Sequence, residues 1–276
     1  MKVQREQSSQ ETIQALQNQV DQLTAENMLL QDQLTRKEQF IAMIAHELRS
    51  PLSPIINYAQ MLTRQIGGAQ GNQQGQEDNK RSRAMLHNTT IIISQARRLS
   101  RLVNDLLDVS RISSGQFTLL REDCDIVALT RELVEQLRPV APYHNLIVQA
   151  PEPGTPTIGH WDSGRLQQVL GNLLDNAIKY SDEHTTITTR IWTTAESVHI
   201  SVHNEGVSIP SSDASSLFKP FVRLANGTHR QGSGLGLYIT KSIIEAHGGV
   251  LRLEPPTQES TDDGLKGTTF TFDLPL

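Results

Sequence analysis

Over residues 1 to 50 the apolar side chains fall on two interleaved heptad series. Ile13, Val20, Leu34, Ile41 and Leu48 form one, and Leu16, Leu23, Leu30 and Ile44 the other. A seam of two positions in seven, sustained for about five heptads, predicts a coiled coil. A single amphipathic helix laid on its own domain is the alternative, and it would show a broader stripe. The stretch contains neither Gly nor Pro and is rich in Gln, Glu, Leu and Ala, so one long helix is expected. Asn27 takes the seam position between Val20 and Leu34. A buried amide there pairs with its counterpart in one register only, which predicts a parallel homodimer.

The helical pattern runs on to Gly67-Gly68, through Pro51 and Pro54, each of which removes a backbone donor and is expected to bend the helix. Residues 67 to 80, rich in Gly, Gln and Asn, read as a mobile connection. In a second helix Met85, Ile92, Leu99 and Leu106 stand seven apart with Ala96 and Val103 interleaved, one stripe with which to fold back on the first helix. Two such antiparallel hairpins would make a dimeric four-helix bundle, with Ser113-Ser114-Gly115 as the joint to the C-terminal part of the chain. Beyond that joint the pattern alternates. Strands are expected at 117–122, 146–149, 157–161, 185–193, 197–203, 250–254 and 268–274, and helices at 126–140, from a cap at Asp162 to about Tyr180, and at 235–247. Residues 205–232 read as a loop-rich segment. The order implies an α/β sandwich, helices on one face of a mixed sheet.

Composition removes several classes of function. A chain of 276 residues suits one or two globular units at roughly 100–200 residues each. With 25 basic and 30 acidic residues its net charge is −5, which supplies no basic stripe for nucleic acid. No run approaches the roughly 18–20 apolar residues of a membrane span and no secretory leader is evident, so a cytoplasmic location is expected. The one cysteine, Cys124, has no partner for a disulfide or a zinc cluster.

His46 lies opposite the seam formed by Ile41, Ile44 and Leu48, which turns it to solvent just before Pro51. Glu47 beside it can accept a proton from one ring nitrogen, leaving the other with a free lone pair; an imidazole is largely neutral at pH 7. Taken alone, such a histidine is a common surface residue. Here the surrounding run, FIAMIAHELRSPL, resembles the H-box of the sensor histidine kinases of bacterial two-component systems. Three more runs come in that family's order. Asp162, Arg165 and Gly171-Asn172-Leu173-Leu174-Asp175-Asn176-Ala177-Ile178-Lys179-Tyr180-Ser181 resemble the N-box. Leu217-Phe218-Lys219-Pro220-Phe221 is similar to the F-box, and Gly232-Ser233-Gly234-Leu235-Gly236-Leu237 to the second glycine box.

The resemblance implies a dimerisation and phosphotransfer hairpin followed by an ATPase domain of the gyrase and histidine-kinase type. It implies phosphorylation of His46 from ATP with Mg²⁺, Asn176 as the metal ligand, Tyr180 beside the adenine, and residues 206–232 as an ATP lid carrying Lys219, Arg223, His229 and Arg230. An aspartate on a response-regulator receiver domain would take the phosphoryl group onward. Spacing agrees with these roles. Asn172, Asn176 and Lys179 share one helix face, where amide oxygens can complete the shell of a Mg²⁺ that mainly holds phosphate and water. The glycines at 232, 234 and 236 open a helix, so backbone donors can meet a phosphate chain; a tight turn is their alternative use. Their spacing matches neither the dinucleotide fingerprint nor a P-loop.

The first glycine box departs from the family. Where the pattern has Asp-x-Gly-x-Gly, this chain has Asn204-Glu205-Gly206-Val207-Ser208. In the family the Asp accepts a hydrogen bond from the adenine amino group. A neutral acceptor contributes about 0.5–1.5 kcal/mol against about 1.5–3 for a charged one, so ATP affinity is expected to fall about tenfold. Ser208 replaces the second glycine. Ser50 stands where the family commonly has Thr or Asn, a position tied to dephosphorylating the partner, and Pro54 and the 67–80 loop are further departures. Phe218 and Phe221 of the F-box complete the expected ATP site with Asn172, Lys179, Gly232, Gly234, Leu235 and Gly236, while His46, Glu47 and Ser50 form the catalytic group. The expected domains are a coiled coil over 1–40, a dimerisation and phosphotransfer domain over 41–115 and an ATP-binding domain over 116–276. A degenerate scaffold that binds nucleotide poorly is the alternative function; a chaperone-like or topoisomerase-like ATPase would not need His46 in a bundle.

Overall fold

The computed structural model describes residues 2–67, 76–210, 213–222, 233–255 and 267–276. Two compact units divide the chain, Met1–Leu102 and Val103–Leu276. Among the described residues no helix is long and apolar enough to cross a membrane.

The first unit holds two helices. α1 (Lys2–Gly67) is continuous through both prolines, and α2 (Gln76–Ser113) comes next. Most of the 67–80 connection lies outside the described residues. Asn88 donates to Gln65 Oε1 at 3.3 Å, and Arg98 approaches Glu47 at 4.0 Å. Early α2 therefore meets late α1, an antiparallel hairpin. Along the seam Val20 (60% exposed), Leu23, Leu30, Leu34 and Ile41 are exposed among the described residues, whereas Ile44 and Leu48 are partly buried. The side chains of Ile13 and Leu16 lie outside the described residues. Asn27 Nδ2 donates to the carbonyl of Leu23.

In the second unit α2 ends in a Schellman closure: Gln116 N–H donates to Arg111 O and Gly115 N–H to Ile112 O. β1 (Glu122–Asp125) leads into α3 (Ile126–Leu137), whose first amides are capped by the Asp125 carboxylate. Pro139 turns the expected remainder of this helix into a short 3₁₀ segment at Arg138–Val140. β2 (Asn145–Gln149) and β3 (Ile158–Trp161) precede α4 (Ser163–Tyr180), capped by Asp162 as its sequence predicts. β4 (Thr186–Thr193), β5 (Ser197–Glu205), the short α5 (Ala214–Leu217), α6 (Gly236–Ala246), β6 (Leu251–Leu253) and β7 (Gly267–Pro275) complete the chain.

Five strands form a mixed sheet in the order β2-β4-β5-β7-β6, with only β2 and β4 parallel. One face is apolar: Ile187, Ile191, Ile200, Val202, Phe270 and Phe272 meet the buried Leu166, Leu170, Leu173, Ile239 and Ile243 of α4 and α6. The other carries Arg190, with Trp192 stacked on His199 at 5.3 Å. β1 and β3 pair separately as a two-stranded sheet.

The strand expected at 117–122 is not formed; pairing begins only at Glu122. Leu120 is 83% exposed and its N–H donates to Asp162 Oδ2 at 2.8 Å, while Asp162 Oδ1 caps α4 at Arg165 N–H. One carboxylate thus satisfies both segments, and the Phe117 ring lies under the Arg165 guanidinium, 4.9 Å away. Arg165 also bonds the buried Asp108 of α2 at 2.8 Å, and Gln168 donates to the same carboxylate at 2.9 Å.

Buried His247 closes α6. Its Nε2 accepts from Asp162 N–H at 3.0 Å and its Nδ1 donates to Ile243 O at 2.8 Å. Acceptance at Nε2 requires a neutral ring, and burial holds its pKa below the ordinary imidazole value, the Ile243 carbonyl opposing this in part and nearby Arg121 adding to it. The unfolded chain therefore binds a proton more readily. This share of stability is complete above the unfolded value of about 6.5 and is lost as pH falls toward the depressed folded one. Thermal melts should show the second unit less stable at pH 5.5 than at 7.5, with a smaller difference in His247→Asn.

Candidate functional site

His46 stands exposed on α1, and with Arg49, Ser50, Ser53, Pro54 and Asn57 it lines a shallow groove along that face. The spacing of three, four and seven residues sets these groups in a stripe, as helix geometry requires. Pro54 has no N–H to give to the carbonyl of Ser50, so an acceptor is released beside the groove. Glu47 points the other way, partly buried against Arg98. The catalytic group read from sequence is thus split: His46 and Ser50 share the groove, while Glu47 faces α2.

The second site lies in the other unit, where α4, α6 and the end of β5 converge. α4 is amphipathic: its Leu face is buried, leaving Asn172, Asn176 and Lys179 half-buried along one side. Asn172 Nδ2 donates to Gly236 O and Thr240 Oγ1, each at 3.4 Å, so this amide ties α4 to the start of α6. Lys179 Nζ sits 5.0 Å from the centre of the Tyr180 ring, which is 38% exposed. Ser181 forms a lone bridge to Gly206. A Cβ on Gly206 would stand 2.3 Å from Tyr180 O, which is why the box keeps this glycine.

Asn204 is 4% exposed, paired in register between Ile187 and Thr268. Its Nδ2 has no hydrogen-bond partner, and the same holds for Ser181 Oγ and Thr189 Oγ1 nearby on the sheet. Ser208 Oγ accepts from Gly267 N–H at 3.1 Å and Thr268 Oγ1 donates to Val207 O at 3.0 Å, so the loop after β5 is pinned to β7. The serine that departs from the family pattern therefore has a structural use. Sequence reading placed Ser181 at the end of the N-box without a role and missed Thr189, Thr240 and Thr268, whose places depend on strand register and helix packing.

Phe221 adopts φ 65 and its N–H donates to Gly234 O at 2.9 Å. Gly234 has φ 69, and a Cβ there would lie 2.9 Å from Phe221 backbone. Two left-handed residues in mutual contact bring the F-box onto the glycine box, strain of the kind that gathers at functional sites. Phe218 meets Phe270 edge to face at 6.3 Å, and Leu235 is fully buried. α6 starts at Gly236 without a side-chain cap, so its first amides are available to an anion. Gly232, Arg223, His229 and Arg230 lie outside the described residues. Among the described residues no group of three or more His, Cys, Asp or Glu side chains could hold a metal.

Residues 36–115 match the His Kinase A (phospho-acceptor) domain family, and residues 161–276 match the histidine kinase-, DNA gyrase B-, and HSP90-like ATPase family. The chain is 32% identical over 243 residues to the sensor histidine kinase WalK of Bacillus subtilis, covering 87% of this chain and 36% of WalK. It is 29% identical to the adaptive-response sensory kinase SasA of a Synechococcus strain, over 96% of this chain and 66% of SasA. The chain thus spans from about a third to just under two thirds of these relatives. Histidine kinase ThkA, solved in complex with response regulator protein TrrA, shares the fold at 22% identity and a TM-score of 0.56, covering 89% of this chain and 63% of that one.

Proposed function

The chain belongs to the two-component sensor histidine kinases, and from that membership we propose that it transfers the γ-phosphoryl group of ATP to His46. The observation that carries this is an exposed imidazole in a shallow groove on one unit, together with an ATPase unit whose amide face, glycine turn and uncapped helix suit a nucleotide. The lone pair of the neutral His46 ring forms the N–P bond as the bond from γ-phosphorus to the β,γ-bridging oxygen breaks and ADP leaves. The proton on the other ring nitrogen passes to solvent water at the exposed groove, because Glu47 is turned toward Arg98. Arg49, one turn from His46, balances phosphate charge, and Ser50 is suited to orienting a water that attacks the phosphorylated partner and releases phosphate.

On the ATPase unit the α6 amides and the glycines at 234 and 236 hold the phosphate chain, with Lys179 as a counter-charge. Asn176 would hold Mg²⁺ through its amide oxygen, and the ion would supply charge screening of the triphosphate. Asn176→Ala should keep the melting temperature and lower ATP affinity at least tenfold in Mg²⁺, with a smaller loss in EDTA; titration calorimetry in both buffers checks it. The bare seam residues of α1 are assigned to a second copy of the chain, giving a homodimer. An aspartate of a response-regulator receiver domain is the onward acceptor; ThkA, solved with its regulator, supports this partner class.

The test is incubation with γ-labelled ATP and Mg²⁺. A kinase of this type acquires label that is lost in acid and kept in base, as a phosphoramidate requires. Absence of label, with no nucleotide bound at millimolar ATP, would favour the scaffold alternative, for which the names of the relatives offer no support.

A further inference from the structure

We propose that Asn204 makes the nucleotide pocket tolerant of the purine, taking 6-oxo purines as well as adenine. The proposal rests on the ATP-binding reading given above. Among the described residues four buried side-chain polar atoms have no hydrogen-bond partner: Asn204 Nδ2, Ser181 Oγ and Thr189 Oγ1, and also His144 Nδ1 just before β2. Such atoms are rare in folded chains and costly, and three around one sheet corner mark a place completed by a polar ligand. Strand register places them together. Ser181 bridges Gly206, two residues beyond Asn204, and Thr189 lies opposite Val202, two residues before it. Asn204 shares the helix-facing side of the sheet with its register partner Ile187, both buried, beside the half-buried amides of α4.

The chemistry of the three groups decides what they read. An amide offers one acceptor and one donor, and rotation about its last bond exchanges them; serine and threonine hydroxyls also give or accept. The Watson–Crick edge of adenine presents a donor at the 6-amino group and an acceptor at N1. That of hypoxanthine or guanine presents the reverse, an acceptor at O6 and a donor at N1. An amide flanked by two hydroxyls satisfies either edge. A carboxylate facing the 6-position accepts only, so there it would favour the amino group and repel O6. Asn204 is thus a specificity-determining residue whose amide removes the selection.

The experiment is competition against a fluorescent ATP analogue by ATP, ITP and inorganic tripolyphosphate, with Mg²⁺, on the full chain and on Asn204→Asp. ITP differs from ATP only at the 6-position and its N1 proton. The proposal expects ITP within about fivefold of ATP on the native chain, both at least twentyfold tighter than tripolyphosphate. It expects Asn204→Asp to prefer ATP by a further factor of ten or more. ATP binding with ITP more than fiftyfold weaker on the native chain would overturn the proposal and leave the kinase reading intact. Tripolyphosphate competing as well as ITP would also overturn it, because the base would then not be read. If neither nucleotide binds, the ATP-binding reading falls, and the proposal with it. The native comparison decides the matter even if the buried carboxylate of Asn204→Asp impairs folding.

Discussion

With His46 replaced by alanine, the chain should take up no acid-labile phosphate while binding ATP with unchanged affinity. Both halves of this result stem from where the residue stands. His46 is exposed on a continuous helix, and alanine is the strongest helix former, so α1 persists. Removing the ring deletes the atom that forms the bond to phosphorus, and the remaining groove side chains, Arg49, Ser50, Ser53 and Asn57, include no other imidazole. Nucleotide binding belongs to the second unit, and titration calorimetry should not distinguish the variant from the native chain. Loss of label together with loss of ATP binding would show that the substitution acts through the fold.

Gly206→Ala should reduce ATP affinity more than tenfold and destabilise the second unit by about 1–3 kcal/mol, the usual cost of forcing an extra methyl into packed structure. The methyl would stand 2.3 Å from the carbonyl oxygen of Tyr180 and 3.1 Å from Ser181 Cα. Both are backbone atoms, so no rotamer change relieves the clash. The bridge between Ser181 and Gly206 must open, moving Tyr180 and the loop that Ser208 and Thr268 pin to β7. Urea denaturation measures the stability loss and competition with a fluorescent nucleotide the affinity. An unchanged midpoint and unchanged affinity would contradict this placement of the loop.

Elements marked by local signals were legible in the sequence. The heptad seam gave α1 its extent, the glycines after Ile66 its end, and Asp162 the start of α4, because periodicity and capping act over a few residues. The strand expected at 117–122 failed because the Leu120 N–H is taken by a carboxylate forty-two positions away, which no local pattern reports. The candidate site divides in the same way. His46, Asn176 and the glycine boxes stand out through the resemblance of their runs to family motifs, whereas the tie from Asn172 to Thr240 and the orphan hydroxyls beside Asn204 arise from register and helix packing. The turning of Glu47 toward Arg98 needed the antiparallel hairpin to be in place.

The central claim is that a ring nitrogen of His46 is the acceptor, and mapping the modified residue tests it most directly. The native chain is incubated with ATP and Mg²⁺, digested at neutral to alkaline pH so that a phosphoramidate survives, and its peptides are sequenced by mass spectrometry with gentle fragmentation. The account predicts one phosphoryl group on His46 in the peptide spanning residues 38–49. Phosphate found instead on Ser50 or Ser53 in the same groove, stable to acid, would contradict it.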